Sequence, residues 1–214
     1  MKHHLVSFFG TTKLDKMGAR ELEHYKAKKL STHARKTISN HLSVLHKLLH
    51  TASEWGLIEQ VPKVRWLPFP KPEFRFLDFE AAERLLTVSK VEATWHVMIL
   101  LALRTWLHQG ELLALRWRDV DLTQGKLVVR RSVTRGHLGT PKNGRIREVL
   151  LSSAVVKVLK GHRHLRGELV FCQEDGSLLT KGLCKWPLRR ARRRVGLGRF
   201  GWHDLRHIFA SHLA

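Results

Sequence analysis

Between Ile38 and Trp55 the apolar residues fall mostly at steps of three and four, the spacing of one buried face on a helix. The stripe runs Ile38, Leu42, Leu45, Leu48, Leu49, Ala52 and Trp55. Ser31 or Thr32 is placed to cap its start, and Gly56 to end it. A sparser face of Leu22, Tyr25 and Leu30 marks a charged helix from Met17 to Leu30. Prolines 62, 68, 70 and 72 follow, with Lys63, Arg65 and Lys71 among them. Proline at that density resists helix and strand alike and gives a stiff extended segment. The pattern divides the chain into a small helical domain over 1–62, a linker over 63–75 and a larger domain over 76–214.

The larger domain opens with a helix over 78–90, capped by Asp78 and carrying Ala82, Leu85 and Leu86. A strongly apolar helix from Trp95 to Leu107 is expected at the centre of its core. A short helix over 110–117 precedes a valine-rich strand over 126–132 and a second strand over 140–151, with turn chemistry at Pro141 to Gly144. A helix over 153–162, a strand over 169–173 and a helix over 181–195 come next; Pro187 either kinks that helix or marks its true start. In the last stretch, from Gly201 to Ala214, Trp202, Leu205, Ile208, Phe209 and Leu213 again recur at helical spacing. The fold class is therefore mainly α with a small antiparallel β-sheet, an α+β arrangement.

Composition sharpens this picture. At 43% hydrophobic, with seven Trp and nine Phe in 214 residues, the chain can build a core, so global disorder is excluded. A formal net charge of +21 calls for a polyanionic partner, double-stranded DNA first. The apolar run from Val97 to Leu103 is too short to span a bilayer, the opening residues do not read as a signal peptide, and no membrane partner is expected. Cys172 and Cys184 read as buried free thiols of a reducing compartment. His162 and His164 lie near Cys172 without a paired ligand spacing, so neither a metal nor a cofactor is expected. Lys36, His41, His46, Lys47 and His50 make the polar side of the 38–55 helix basic. Arg189, Arg190, Arg192, Arg193 and Arg194 form a run suited to tracking a phosphate backbone.

The chemistry gathers at the end of the chain. His203 and Arg206 stand one helical turn apart, and an imidazole beside a forked guanidinium can both donate to phosphate oxygens. The segment His203-Asp204-Leu205-Arg206-His207 resembles the HxxR box of tyrosine recombinases, the phage integrase family, and Leu101 to Leu122 resembles that family's first box. The resemblance implies a helical core-binding domain joined to a catalytic domain, the two clamping a duplex between them. It implies DNA integration and recombination through a tyrosine linked covalently to the 3′ phosphate, without metal. Carried onto this chain, His203 and Arg206 grip the phosphate and Lys142, in the turn before Gly144, is the general acid. Glu111 supports the site, while Leu112, Leu115, Trp117 and Asp119 belong to the structural part of the first box.

Two departures qualify that expectation. Where the family reads Thr-Gly-Leu-Arg, this chain reads Thr105-Trp106-Leu107-His108, so His108 stands at the first-arginine position. An imidazole replaces a permanent bidentate cation poorly, and losing one such donor costs about 3–4 kcal/mol, roughly a hundred- to a thousandfold in rate. The nucleophile is also missing from these residues: the one tyrosine, Tyr25, lies in the helical domain as core or helix surface. The expectation is a bacterial or phage-derived, nucleoid-associated cytoplasmic protein, shortened at both ends, that binds DNA with catalysis lost and that can meet other integrase protomers on DNA. A regulator or decoy of an intact integrase shares all the binding features. An RNA-binding factor is the third reading, disfavoured by the absence of aromatic RNP-type motifs.

Overall fold

The computed structural model describes residues 2–70, 77–141 and 144–213. The chain forms two compact units, 1–73 and 74–214, each with its own hydrophobic core.

In the first unit, a helical turn over Lys2–Val6 runs into α1 (Ser7–Phe9). α2 (Ala19–Leu30) and the long α3 (Arg35–Glu54) follow. Ile38, Leu42, Leu45, Leu49 and Ala52 form the buried stripe of α3, and each large aliphatic side chain there contributes roughly 1.5–3 kcal/mol by leaving water. Leu48 and Trp55, expected in the same stripe, are exposed: Leu48 lies one residue off that line, and Trp55 lies past the helix end as its C-cap. His41, expected on the basic face, is buried at 6% exposure, with its Nδ1 2.8 Å from the Tyr25 hydroxyl. The cap also shifts, to Ala34 in extended backbone, and Ser31 and Thr32 stay in the preceding turn. Tyr25 is fully buried and packs its ring against Phe8 and Phe9. The chain start thereby gives α2 a packing partner. Beyond α3 the prolyl segment holds no regular secondary structure over 59–70, yet Val61, Val64 and Leu67 pack on this core. The buried Lys26 donates to the Arg65 carbonyl at 2.7 Å.

In the second unit α4 (Phe79–Ser89) begins where the Asp78 carboxylate accepts from the Ala81 N–H. α5 (Ala93–Arg104) is apolar on nearly all sides and its residues 97–103 are all buried, so it forms the centre of the core. α6 (Gln109–Leu113) is shorter than expected and yields to a 3-10 turn over Trp117–Asp119. β1 (Val120–Asp121), β2 (Lys126–Val129) and β5 (Arg147–Leu150) make a three-stranded antiparallel sheet in the order β1-β2-β5. Register places Val129 opposite Arg147. β3 (Ser132–Thr134) and β4 (His137–Gly139) form a separate hairpin within the span assigned to the first strand and the loop after it. The expected strand over 140–151 is thus only its last third, and that over 169–173 is reduced to two isolated bridges.

α7 (Ser153–His162), α8 (Lys181–Arg194) and α9 (Trp202–Leu213) complete the unit. Pro187 sits inside α8, which continues through it on the buried Cys184, Leu188 and Ala191. α9 packs on α5 through Trp202, Leu205 and Ile208; the side chains of Phe209 and Leu213 lie outside the described residues. Both cysteines are free and buried, and burial pushes the Cys184 thiol up to about 11. No described helix is long and apolar enough to cross a membrane.

Candidate functional site

The loop between α5 and α6 alternates. Thr105 and Leu107 are buried pegs, while Trp106 and His108 face outward, Trp106 at 47% exposure. Trp106 holds a φ of 52°, in the left-handed region that glycine occupies without cost. Its ring lies 4.8 Å from the Arg206 guanidinium, which it faces as a cation–π partner. His108 starts α6, and the Glu111 carboxylate reaches back to accept the His108 N–H at 2.9 Å. Gly110 lets α6 approach β3: a Cβ there would stand 2.5 Å from the Val133 carbonyl oxygen.

α9 supplies the opposite wall. The Gly201 N–H donates to the Asp204 carboxylate at 2.7 Å, and the Trp202 indole N–H to the Cys184 carbonyl at 2.8 Å. With those contacts fixing the helix start, His203 is exposed and Arg206 is half-buried. The His203 ring stacks parallel to His108 at 6.0 Å, and its Nε2 lies 3.0 Å from the His207 Nε2. Arg206 Nη1 is buried and has no hydrogen-bond partner among the described residues. A buried donor without a partner is costly in an isolated protein, and an anion satisfies it.

A third wall comes from β5. Arg147 donates to Glu111 through both terminal nitrogens, at 2.9 and 2.6 Å. Burial alone would raise the Glu111 carboxyl, but the bonds from Arg147 and the His108 N–H, with the Arg147 charge, hold it below its ordinary value. Burial, then the charge of Arg206, pushes His108 down, so it is neutral at pH 7. Trp106, His108, Glu111, Pro141, Arg145, Ile146, Arg147 and Arg206 together line a cleft of about 530 Å³. Lys142, expected beside it, lies outside the described residues.

The arginine run divides. Arg190 pairs with Glu92 through two bonds, the shorter 2.6 Å, while Arg194 is exposed. Arg189, Arg192 and Arg193 line a second cavity of about 550 Å³ with Arg199, a residue the sequence reading left out. A third cavity shares Arg189 and Arg192 with it and reaches Lys181, Lys185 and His203. Basic groups are therefore continuous from Arg199 along α8 to the cleft at Arg206. Lys36 and Lys47 are exposed on α3 in the other unit, Lys36 over the Phe69 ring at 4.5 Å. No cluster of His, Cys, Asp or Glu that could hold a metal is present among the described residues.

The model of the phage integrase family matches residues 75–214, the whole second unit but one residue. The chain belongs to the phage integrase family. The integrase of Salmonella phage P22 is 27% identical over 190 residues, spanning 83% of this chain and 46% of that protein. Prophage integrase IntR of Escherichia coli K12 is 31% identical over 158 residues, 65% of this chain and 36% of its own length. The chain thus spans less than half the length of these integrases. Among solved structures, the Tn1549 transposon integrase in complex with a circular intermediate DNA covers the whole chain with a TM-score of 0.85 at 17% identity, over 79% of that chain. A lambda integrase dimer bound to a COC′ core site covers 93% of this chain and 74% of that one, with a TM-score of 0.73 at 17% identity. At such identities the likeness establishes the integrase fold.

Proposed function

We propose that this integrase-family chain binds double-stranded DNA in site-specific recombination and integration, the cleft at Arg206 receiving one backbone phosphate. The observation that carries this reading is Arg206, whose buried Nη1 has no hydrogen-bond partner among the described residues and which lines a cleft with two further arginines and a neutral histidine. The basic groups running from Arg199 past Arg189 and Arg192 to His203 offer further cations to neighbouring phosphates. His203 and Arg206 hold the phosphate, Glu111 steadies the α6 start, and Lys142 stands at the position of the family's general acid, in a chain that binds DNA with catalysis lost. Lys36 and Lys47 add backbone contacts from the helical unit, and other integrase protomers share the DNA. Such a role places the protein in the cytoplasm with a bacterial or phage chromosome.

A second reading, binding without cutting as a regulator or decoy, is favoured by one observation. Tyr25, the one tyrosine of these 214 residues, is fully buried with its hydroxyl 2.8 Å from His41 Nδ1, so these residues offer no exposed phenol. A fluorescent duplex titrated at several salt concentrations tests the first reading. With Arg189, Arg192, Arg199 and Arg206 each on a phosphate, log affinity should fall against log salt with a slope of about −3.6 or steeper, at about −0.9 per contact. A flat response, or a preference for single-stranded RNA, would overturn it. The same mixtures made with a nicked suicide duplex and run on a denaturing gel test the second: an adduct abolished by Tyr25→Phe would sink it.

A further inference from the structure

Position 108 leaves the cleft one permanent cation short of the family pattern, yet the cleft is not short of guanidinium groups. Arg147 comes from β5, thirty-six residues beyond Glu111, and the antiparallel register with β2 brings it to the α6 start. There Glu111 grips it end-on through both terminal nitrogens. Glu111 is itself at 3% exposure and fixed by the His108 N–H, so the guanidinium is held in plane by a rigid partner. An end-on fork uses two of the five N–H donors of an arginine and leaves three. The Arg147 side chain is 38% exposed and lines the same cleft as Arg206 and His108. Its charge acts on both of them, lowering each one's affinity for a proton. With Glu111 neutralised by one arginine, the cleft keeps the net positive charge of Arg206 and Arg145.

We propose that Arg147 is the second guanidinium of the phosphate site, held by Glu111 to donate to the phosphate oxygens that His108 does not serve. This rests on the reading of the cleft as a phosphate site. Arg147 is then a phosphate-binding residue, and Glu111 a positioning residue that acts through it. The alternative is that Arg147 only neutralises a buried carboxylate.

The two are separated by titrating the full chain with thymidylyl-(3′→5′)-thymidine while following arginine Nε–H resonances by NMR. Arg147→Lys keeps the charge and loses the fork, and should raise the dissociation constant about tenfold. Glu111→Gln combined with Arg147→Gln removes both members of the pair, leaving no unpaired charge, and should weaken binding as much. Adding His108→Arg to that double variant should recover binding, since a fork returns on the same wall. Affinity unchanged in both Arg147 variants while Arg206→Lys weakens it would overturn this proposal alone. If Arg206→Lys is also without effect, or the neutral methylphosphonate analogue binds equally well, the phosphate-site reading itself falls. Thermal melting of each variant shows whether it is folded, and binding is compared only among those that melt as the parent does.

Discussion

Trp106 shows how much one residue can cost and supply. A bulky side chain at a φ of 52° carries backbone strain of about 1 kcal/mol or more that glycine would not. In return its ring faces the Arg206 guanidinium, a contact worth about 0.5–1 kcal/mol at a partly exposed site. Replacing Trp106 by Gly should therefore leave stability equal or higher, whereas Trp106→Ala keeps the strain and loses the ring. The expected order in urea is Gly above Ala by about 1 kcal/mol; the reverse order would mean that the left-handed backbone is not strained here. Removing the ring also uncovers Arg206, so both variants should bind a phosphodiester at least as well as the parent. Arg206 and His203 were legible from sequence because helical spacing is local. Arg147 was not: its partner Glu111 is thirty-six residues away, and only sheet register brings the two together. Arg199 was missed for a similar reason, since it follows the end of α8 and joins Arg192 only through the turn after that helix.

At the scale of elements, strongly periodic segments were readable and short ones were not. α5 declared itself by an unbroken apolar run, and α3 by its stripe, although His41 at the correct spacing was excluded from that stripe for being polar. Burial of His41 is tolerable because the Tyr25 hydroxyl answers its ring nitrogen. The β3–β4 hairpin turns on Arg135 and Gly136, with φ of 53° and 85°. Two left-handed residues in succession mark a type I′ turn, but the first is usually Asn, Asp or Gly, so Arg135 concealed it. That hairpin matters because α6 rests on it. Gly110 faces β3 so closely that a methyl group meets the backbone of Val133 and the Ser132 hydroxyl at 2.5 and 2.7 Å. Backbone cannot step aside as a flexible side chain can, so Gly110→Ala must lift α6. The expected loss is about 1–3 kcal/mol, with weaker phosphodiester binding because His108 and Glu111 move with the helix. A variant that keeps full stability and full binding would show that α6 has slack against the hairpin.

Over the whole molecule, charge and protons act together. The chain already carries +21 at pH 7 with histidines neutral, and acidification adds to it. In the first unit burial lowers the pKa of His41; in the second it lowers those of His96, His108 and His162. A lowered folded-state value means that the unfolded chain takes up protons first as pH falls. The stability these neutral imidazoles confer is therefore present above their unfolded value, about 6.5, and drains away below it. Glu111 is depressed as a carboxylate, so its contribution persists until pH falls toward the ordinary carboxylate range, and it stays constant between pH 7.5 and 5.5. Within that window the melting temperature at fixed salt should drop as pH falls. Histidine titrations followed by NMR should place all four midpoints below 6.5. A melting temperature that holds level to pH 5.5, or midpoints above 6.5, would mean that these rings are accommodated as cations. His108 would then supply a positive charge to the cleft after all, and the demand on Arg147 would lessen accordingly.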